Sequence, residues 1–212
     1  MGRWTLLILL LGAAPAAAQT RERLPMFTID LHAATVGLPT AEGWVPVVSA
    51  DTEIPGRGWG LAGGGTVYPL RLGIVTFGFG AILSTGGGQS GSGDPATTIV
   101  TPVVHTSVIN LAPHVSINFG HKMGWSYLSA GLGTTKVKSS ADAVGTTPEV
   151  VIPEAWNQAL NFGGGARWFM KEHLGAGFDV RFVKLGSRAA TTTLPAAQRT
   201  QTWSISVGVS IQ

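Results

Sequence analysis

His114 and Ser116 are the pair of residues in this sequence whose types and spacing come nearest to those of a hydrolytic enzyme. If the segment around them is a β-strand, both side chains point to the same face, because side chains alternate along a strand. A histidine placed in this way can act as a base toward a serine hydroxyl, the pairing that acyl transfer uses. The sequence identifies no acidic partner that would orient the histidine. We therefore expect a protein that is not an enzyme, with His114 and Ser116 as its one candidate catalytic pair.

A glycine-rich segment and five histidines are the other features that suggest ligand chemistry. The segment, residues 86–94, lacks the Lys-Ser or Lys-Thr and the following helix that a P-loop needs to hold phosphate. The histidines show none of the short spacings that are typical of metal sites, and cysteine is absent. The sequence therefore predicts no metal site and no cofactor.

Composition narrows the class of protein. Of the 212 residues, 44% are hydrophobic and only 12% are charged, about half the charged share of soluble domains. The net charge is +3, but the basic residues form no stripe, so the sequence predicts no nucleic-acid partner.

The first residues have the layout of a secretory signal peptide. Arg3 precedes a short apolar stretch, and three alanines precede Gln19. We expect cleavage after Ala18, so that residues 1–18 are a signal peptide and residues 19–212 are one exported domain.

Hydrophobic residues in the mature chain recur at every second position, which is the period of a β-strand. In the clearest run, Trp203, Ile205 and Val207 alternate with small polar residues. Eight such segments are predicted, at residues 26–37, 58–68, 72–85, 107–119, 125–137, 157–169, 174–185 and 203–212. Most are longer than the strands of soluble proteins and match the ~9–11 residues of a tilted membrane-spanning strand.

Connections between these segments alternate between long and short. The long ones are residues 38–57, 86–106, 138–156 and 186–202, and the short ones are residues 69–71, 120–124 and 170–173. A transmembrane barrel has this arrangement, with long external loops and short periplasmic turns. Aromatic residues lie near the ends of the segments, which predicts girdles at the two membrane interfaces. These residues are Trp59, Trp125, Trp156, Trp168, Trp203 and Phe119.

Hydrocarbon requires that every backbone polar group be paired, so a membrane-spanning sheet must close on itself. The sequence therefore predicts an all-β fold, an eight-stranded antiparallel up-and-down transmembrane β-barrel. A barrel of this size is filled by its own side chains. Because isolated buried charges are costly, the inward charged residues are expected to form one lumen network. Its predicted members are Asp30, His32, Arg167, Asp179 and Arg181, with Arg167 and Asp179 as the direct pair.

The chain resembles the small outer-membrane β-barrel family, the OmpA-, OmpX- and OmpW-like group of Gram-negative bacteria. The resemblance is sharpest in Asn161-Phe-Gly-Gly-Gly-Ala-Arg-Trp-Phe-Met170, Lys171-Glu-His173 and Leu174-Gly-Ala-Gly-Phe-Asp-Val-Arg-Phe182, which are similar to that family's penultimate hairpin. It implies location in the outer membrane, contact with outer-membrane lipids, and insertion by the outer-membrane assembly machinery.

The sequence departs from the family pattern at two places. Family members commonly end in an aromatic residue, whereas this chain ends Val209-Ser-Ile-Gln212. Pro113 falls inside the fourth segment, where it removes a ladder hydrogen bond, so either a bulge accommodates it or the strand begins near His114.

We therefore expect a side-chain-filled barrel that acts as a structural or surface-interaction protein through its long external loops, whose ligand the sequence leaves open. A narrow porin-like channel for small or hydrophobic solutes is the alternative. A lipid A-modifying enzyme is a third interpretation, because His114 and Ser116 faintly resemble the His-x-Ser of barrel deacylases, although Ile117 and Asn118 depart from that pattern. A secreted soluble barrel is the remaining competitor. Lys136, Lys138 and Lys184 lie near the external ends, where they are expected to meet lipopolysaccharide phosphates.

Overall fold

A computed structural model describes residues 24–48, 52–91, 102–146 and 148–212. The predicted signal peptide, residues 1–18, and part of the predicted loop at residues 86–106 lie outside these ranges. Within them the chain forms eight strands: β1 Phe27–Gly37, β2 Arg57–Leu72, β3 Val75–Ser90, β4 Val104–His121, β5 Gly124–Ala141, β6 Val150–Phe169, β7 Leu174–Leu185 and β8 Thr200–Ile211. None of the described residues belongs to a helix of the length and apolarity needed to cross a membrane.

The strands form a closed ring. Each strand pairs antiparallel with the next one, and β8 pairs with β1 from Ile211 opposite Ile29 to Ser204 opposite Val36. The predicted fold class is therefore confirmed. Closure pairs the backbone groups of the first and last strands, β1 and β8, so no sheet edge remains between them.

Connections alternate in length as the sequence predicts. Short turns occupy residues 73–74, 122–123 and 170–173, and long connections occupy residues 38–56, 91–103, 142–149 and 186–199. The first turn is tight, and Gly73 supplies the left-handed backbone that it needs, with φ of 62°.

Strands β3 to β6 extend further toward the long connections than predicted. β5 has 18 residues and β6 has 20, whereas β7 and β8 have 12 each. In β4 and β5 the added residues place His105, Lys138 and Ser140 rather than apolar side chains on the outer face, so they give no hydrophobic period from which strand could be predicted.

The predicted turn at Pro69, Leu70 and Arg71 is wrong, because β2 continues to Leu72. A register shift between Val67 and Leu70 places Pro69 in a bulge, where the missing N–H costs no ladder bond.

Pro113 follows neither predicted alternative. It lies within β4 opposite Ala81 of β3, and the ladder toward β5 is interrupted between Leu111 and Val115 without a change of register. The strand therefore passes through the proline with a local loss of hydrogen bonds on one side.

Candidate functional site

The lumen contains a charged layer at mid-height, and its first component crosses the barrel. Arg167 of β6 donates from Nε to Asp30 Oδ1 at 2.8 Å and from Nη2 to Asp30 Oδ2 at 2.5 Å. Ser210 of β8 also donates to Asp30, at 2.7 Å. This bidentate pair joins β1 to β6, which lie three strands apart around the ring.

The second component joins β5 and β7. Arg181 donates to both carboxylate oxygens of Asp179, at 3.2 and 3.0 Å, and to Ser129 at 3.1 Å. The Tyr127 hydroxyl donates to Asp179 at 2.8 Å. The predicted direct pair of Arg167 with Asp179 is therefore wrong. Asp179 binds the arginine two residues away on its own strand, and Arg167 is long enough to reach across the lumen.

The two components are in contact. The Arg167 guanidinium lies 4.2 Å from the centroid of the Tyr127 ring, so a cation–π contact connects the Asp30 pair to the Asp179 pair. His32 adds a hydrogen bond between its Nδ1 and Ser206 Oγ at 3.1 Å. The structure thus brings all five predicted lumen residues into the barrel interior, where their two carboxylates and two guanidiniums balance in charge.

Below this layer, toward the short turns, aromatic side chains fill the lumen. Trp125 is stacked on Phe169 with 5.2 Å between ring centroids, and its ring meets Tyr68 edge-on at 6.0 Å. Only 3% of Trp125 is exposed, so its predicted place in the outer girdle is wrong. The other five predicted girdle residues, Trp59, Trp156, Trp168, Trp203 and Phe119, are exposed on the outer face. Their contact with a membrane interface stays a prediction.

At the opposite end, two long connections meet over the external mouth. We call residues 41–45 and 186–199 the external lid. Trp44 is 1% exposed and packs with the inward side chains Val137 and Leu185 at the ends of β5 and β7. Its indole donates to the carbonyl of Gln198 at 2.7 Å, and the Arg188 guanidinium lies 5.1 Å from its ring centroid.

Arg188 fixes the lid to the wall. It donates to the Gly43 carbonyl at 3.2 Å and to the Asn157 side chain of β6 at 3.4 Å. A backbone hydrogen bond from Gln198 to Glu42, at 3.4 Å, adds a further link between the two connections. The lid therefore covers the mouth as a packed unit.

Two small cavities lie in the lumen between the lid and the aromatic floor. One cavity, of about 20 Å³, is lined by the charged layer together with His114 and Gly64, and a second of about 20 Å³ lies between Val36, Asn110 and Val183. Each has room for about one water molecule. A water molecule in the first cavity would have polar partners, because Arg181 Nη1, His32 Nε2 and His114 Nδ1 are buried and unpaired among the described residues.

His114 and Ser116 both line the interior but bond to different neighbours. His114 Nε2 lies 3.4 Å from the Thr66 hydroxyl, and Ser116 accepts a hydrogen bond from the Asn118 amide at 3.0 Å. The same amide also donates to the Thr76 carbonyl, at 3.0 Å. The two side chains therefore have separate hydrogen-bond partners among the described residues.

The three lysines predicted to contact lipopolysaccharide differ in their surroundings. Lys136 and Lys138 lie 2.5 and 3.7 Å from the Glu154 carboxylate. Lys184 instead lies 5.3 Å from the centroid of the Phe162 ring. At the other end of the barrel, Lys122 lies 3.2 Å from Glu172 in the neighbouring turn and lowers the pKa of that carboxyl.

Sequence reasoning missed Tyr127, Trp44 and Arg188 as parts of the site. Tyr127 and Trp125 share the inward parity of Ser129, two positions apart along β5, so period two was a signal that could have found them. Trp44 and Arg188 belong to long connections without any period, and nothing in the sequence brings them together.

Comparisons with known proteins bear on this fold. No protein-family model matches the sequence, and no curated protein matches it. The structure is similar to that of Neisserial surface protein A, at 12% identity over 88% of this chain and 97% of that chain, with a TM-score of 0.51. The chain has the fold of the small outer-membrane β-barrels. It is also similar to the outer membrane protein OprG from Pseudomonas aeruginosa, at 13% identity over 90% of this chain and 97% of that chain, with a TM-score of 0.48. For the attachment invasion locus protein Ail of Yersinia pestis the identity is 11% over 87% and 97%, with a TM-score of 0.45.

Proposed function

We propose that the protein is an outer-membrane β-barrel with a filled lumen, which supports the envelope and meets the surroundings through its external end. The observation that carries this proposal is the closed lumen. The external lid, the charged layer and the aromatic floor occupy three successive levels, and the two cavities between them are about 20 Å³ each.

Support for a location in lipid comes from the outer face. On β8, Ile205, Val207 and Val209 are exposed, whereas Ser206 and Ser210 on the inward side are buried. An oily exterior around a polar interior is the arrangement that a bilayer favours and water does not.

Support for a surface role comes from the length of β4, β5 and β6. These strands have 18, 18 and 20 residues, and a tilted strand needs only ~9–11 residues to cross the hydrocarbon. The surplus of several residues per strand extends beyond the bilayer at the long-connection end. It presents a rigid sheet, with Lys138 and His105 on its outer face, to the exterior.

A narrow channel is the alternative, and it requires the two lumen cavities, which lie at successive levels of the same interior, to become continuous. Single-channel recording in planar bilayers separates the two functions. The filled-lumen proposal expects no conductance steps from the purified protein at concentrations where a porin control opens. Steady openings would contradict the filled-lumen proposal and support the channel.

A further inference from the structure

An apolar groove of about 660 Å³ indents the outer face of the barrel near its external end. Its base is formed by three outward leucines, Leu111, Leu132 and Leu160, on the adjacent strands β4, β5 and β6. Leu132 is 74% exposed. We call this surface, together with Lys184 and Arg199 at its rim, the outer groove.

The groove exists because one strand of the barrel wall, β7, ends at this level. β7 ends at Leu185, which pairs with Ala159, so β6 above that level has no β7 neighbour. Gly186, just past the end of β7, leaves space along the groove, because only the Gln158 carbonyl lies within 4 Å of the position that a Cβ would take. The groove thus lies where the membrane-spanning ring passes into the protruding sheet.

Two cations border this apolar surface without acidic partners. Lys184 lies directly opposite Leu160 in the ladder between β6 and β7, and Arg199 immediately precedes β8. Among the described residues, neither forms an ion pair, and no carboxylate lines the groove. Lys136 and Lys138, on the neighbouring strand β5, are instead paired with Glu154.

We propose that the outer groove binds the lipid A part of lipopolysaccharide. Its acyl chains cover the three leucines, and a phosphate accepts charge-assisted hydrogen bonds from Lys184 and Arg199. The match rests on charge as well as shape, because a phosphate monoester carries close to two negative charges and the rim supplies two unpaired positive ones. A neutral lipid offers no net negative charge to the two rim cations, and phosphatidylglycerol offers only one. This inference rests on the proposed outer-membrane function, because lipid A must reach the external end of the barrel.

Native mass spectrometry of the purified full-length mature protein, titrated with lipid A in detergent, tests the proposal. The probes are bisphosphorylated lipid A, monophosphorylated lipid A and phosphatidylglycerol. We expect both forms of lipid A to bind more tightly than phosphatidylglycerol, because one phosphate monoester is enough for the two rim cations. The K184Q/R199Q variant is expected to lose about tenfold in affinity for either form of lipid A.

The chain offers a matched control in K136Q/K138Q, which removes the same number of positive charges from the same end of the barrel. Because both lysines already share the Glu154 carboxylate and neither lines the groove, we expect lipid A affinity to stay within about twofold. L132Q, which keeps both rim cations, is expected to weaken lipid A binding by removing part of the apolar base.

Several results would overturn the proposal. If both double variants lose lipid A affinity equally, the binding is a general attraction between opposite charges and not a property of the outer groove. If phosphatidylglycerol binds as tightly as lipid A, the groove has no preference for lipid A. A concentration-dependent dimer that shields Leu132 would make a second copy the occupant. Flotation of each variant with liposomes, measured in parallel, distinguishes a failure of lipid A binding from a failure of membrane insertion. A protein that inserts but does not bind lipid A refutes this inference alone, and a protein that does not insert refutes the proposed function as well.

Discussion

Removal of Arg167 is the perturbation whose effect the lumen geometry determines best. In R167M the side chain keeps much of its length and loses its charge. Asp30, whose side chain is 13% exposed, then keeps a hydrogen bond from Ser210 but loses both bonds from the guanidinium. Breaking a buried pair by removing one partner costs about 3–5 kcal/mol, since an uncompensated charge remains.

The second half of the test removes the orphaned charge. In the D30N/R167M double variant the buried carboxylate is gone, and the amide that replaces it can still bond Ser210. We expect the double variant to recover about 2 kcal/mol of the R167M loss, because no unpaired charge then remains at this place in the lumen.

Equilibrium unfolding by urea in lipid vesicles, followed by tryptophan emission, measures these differences. K122M is the control, because it breaks the exposed ion pair of Lys122 with Glu172 at the turns and is expected to leave the unfolding midpoint unchanged. An R167M cost below about 1 kcal/mol, or single-variant costs that simply add in D30N/R167M, would refute the account of the charged layer.

Three further predictions concern other levels of the barrel. In vesicles of brominated lipid, bromine quenches the emission of tryptophans that face the lipid. W168F is therefore expected to remove part of the quenchable emission, whereas W125F is not, because Trp125 is enclosed in the lumen. The reverse result would contradict the placement of Trp125. W44A is expected to speed proteolysis of the connection that carries Arg188, since a buried aromatic is lost from the lid, while planar bilayers stay silent because the charged layer is intact; unchanged proteolysis would argue against a packed lid. H114N is expected to leave the acyl pattern of lipid A unchanged by mass spectrometry, and an altered pattern would restore the enzymatic interpretation.

The ring of strands could be predicted because two faces with different surroundings impose period two on the sequence. Along β8, Ile205 and Val207 are exposed and Ser206 is buried, as the alternation of oily and small polar residues implies. The order of long and short connections added an independent constraint, which the structure follows at every turn among the described residues.

The partner of Arg167 could not be predicted in the same way. Strand adjacency favoured Asp179, but Arg167 lies opposite Gly177 in the ladder and Asp179 lies opposite Gly165. The two glycines make room for Tyr127, Ser210 and His32 in the lumen. The Arg167 side chain is long enough to reach across it to Asp30. The choice of Asp30 depends on barrel diameter and strand tilt, which no local pattern encodes.

The girdle prediction failed at Trp125 for a different reason. Position along the strand suggested a membrane interface, whereas the parity shared with Tyr127 placed the ring inside. The lid was beyond prediction altogether, because the contact of Trp44 with Arg188 joins residues 144 positions apart in sequence in two connections without periodicity.

Spin labels along β8 test the central claim most directly, that the outer face meets lipid around a closed polar interior. The chain has no cysteine, so I205C, S206C and V207C each carry a single label. We expect the labels at positions 205 and 207 to collide readily with oxygen dissolved in the bilayer, and the label at position 206 to be shielded from it. Uniform oxygen accessibility, or accessibility only at position 206, would contradict the account.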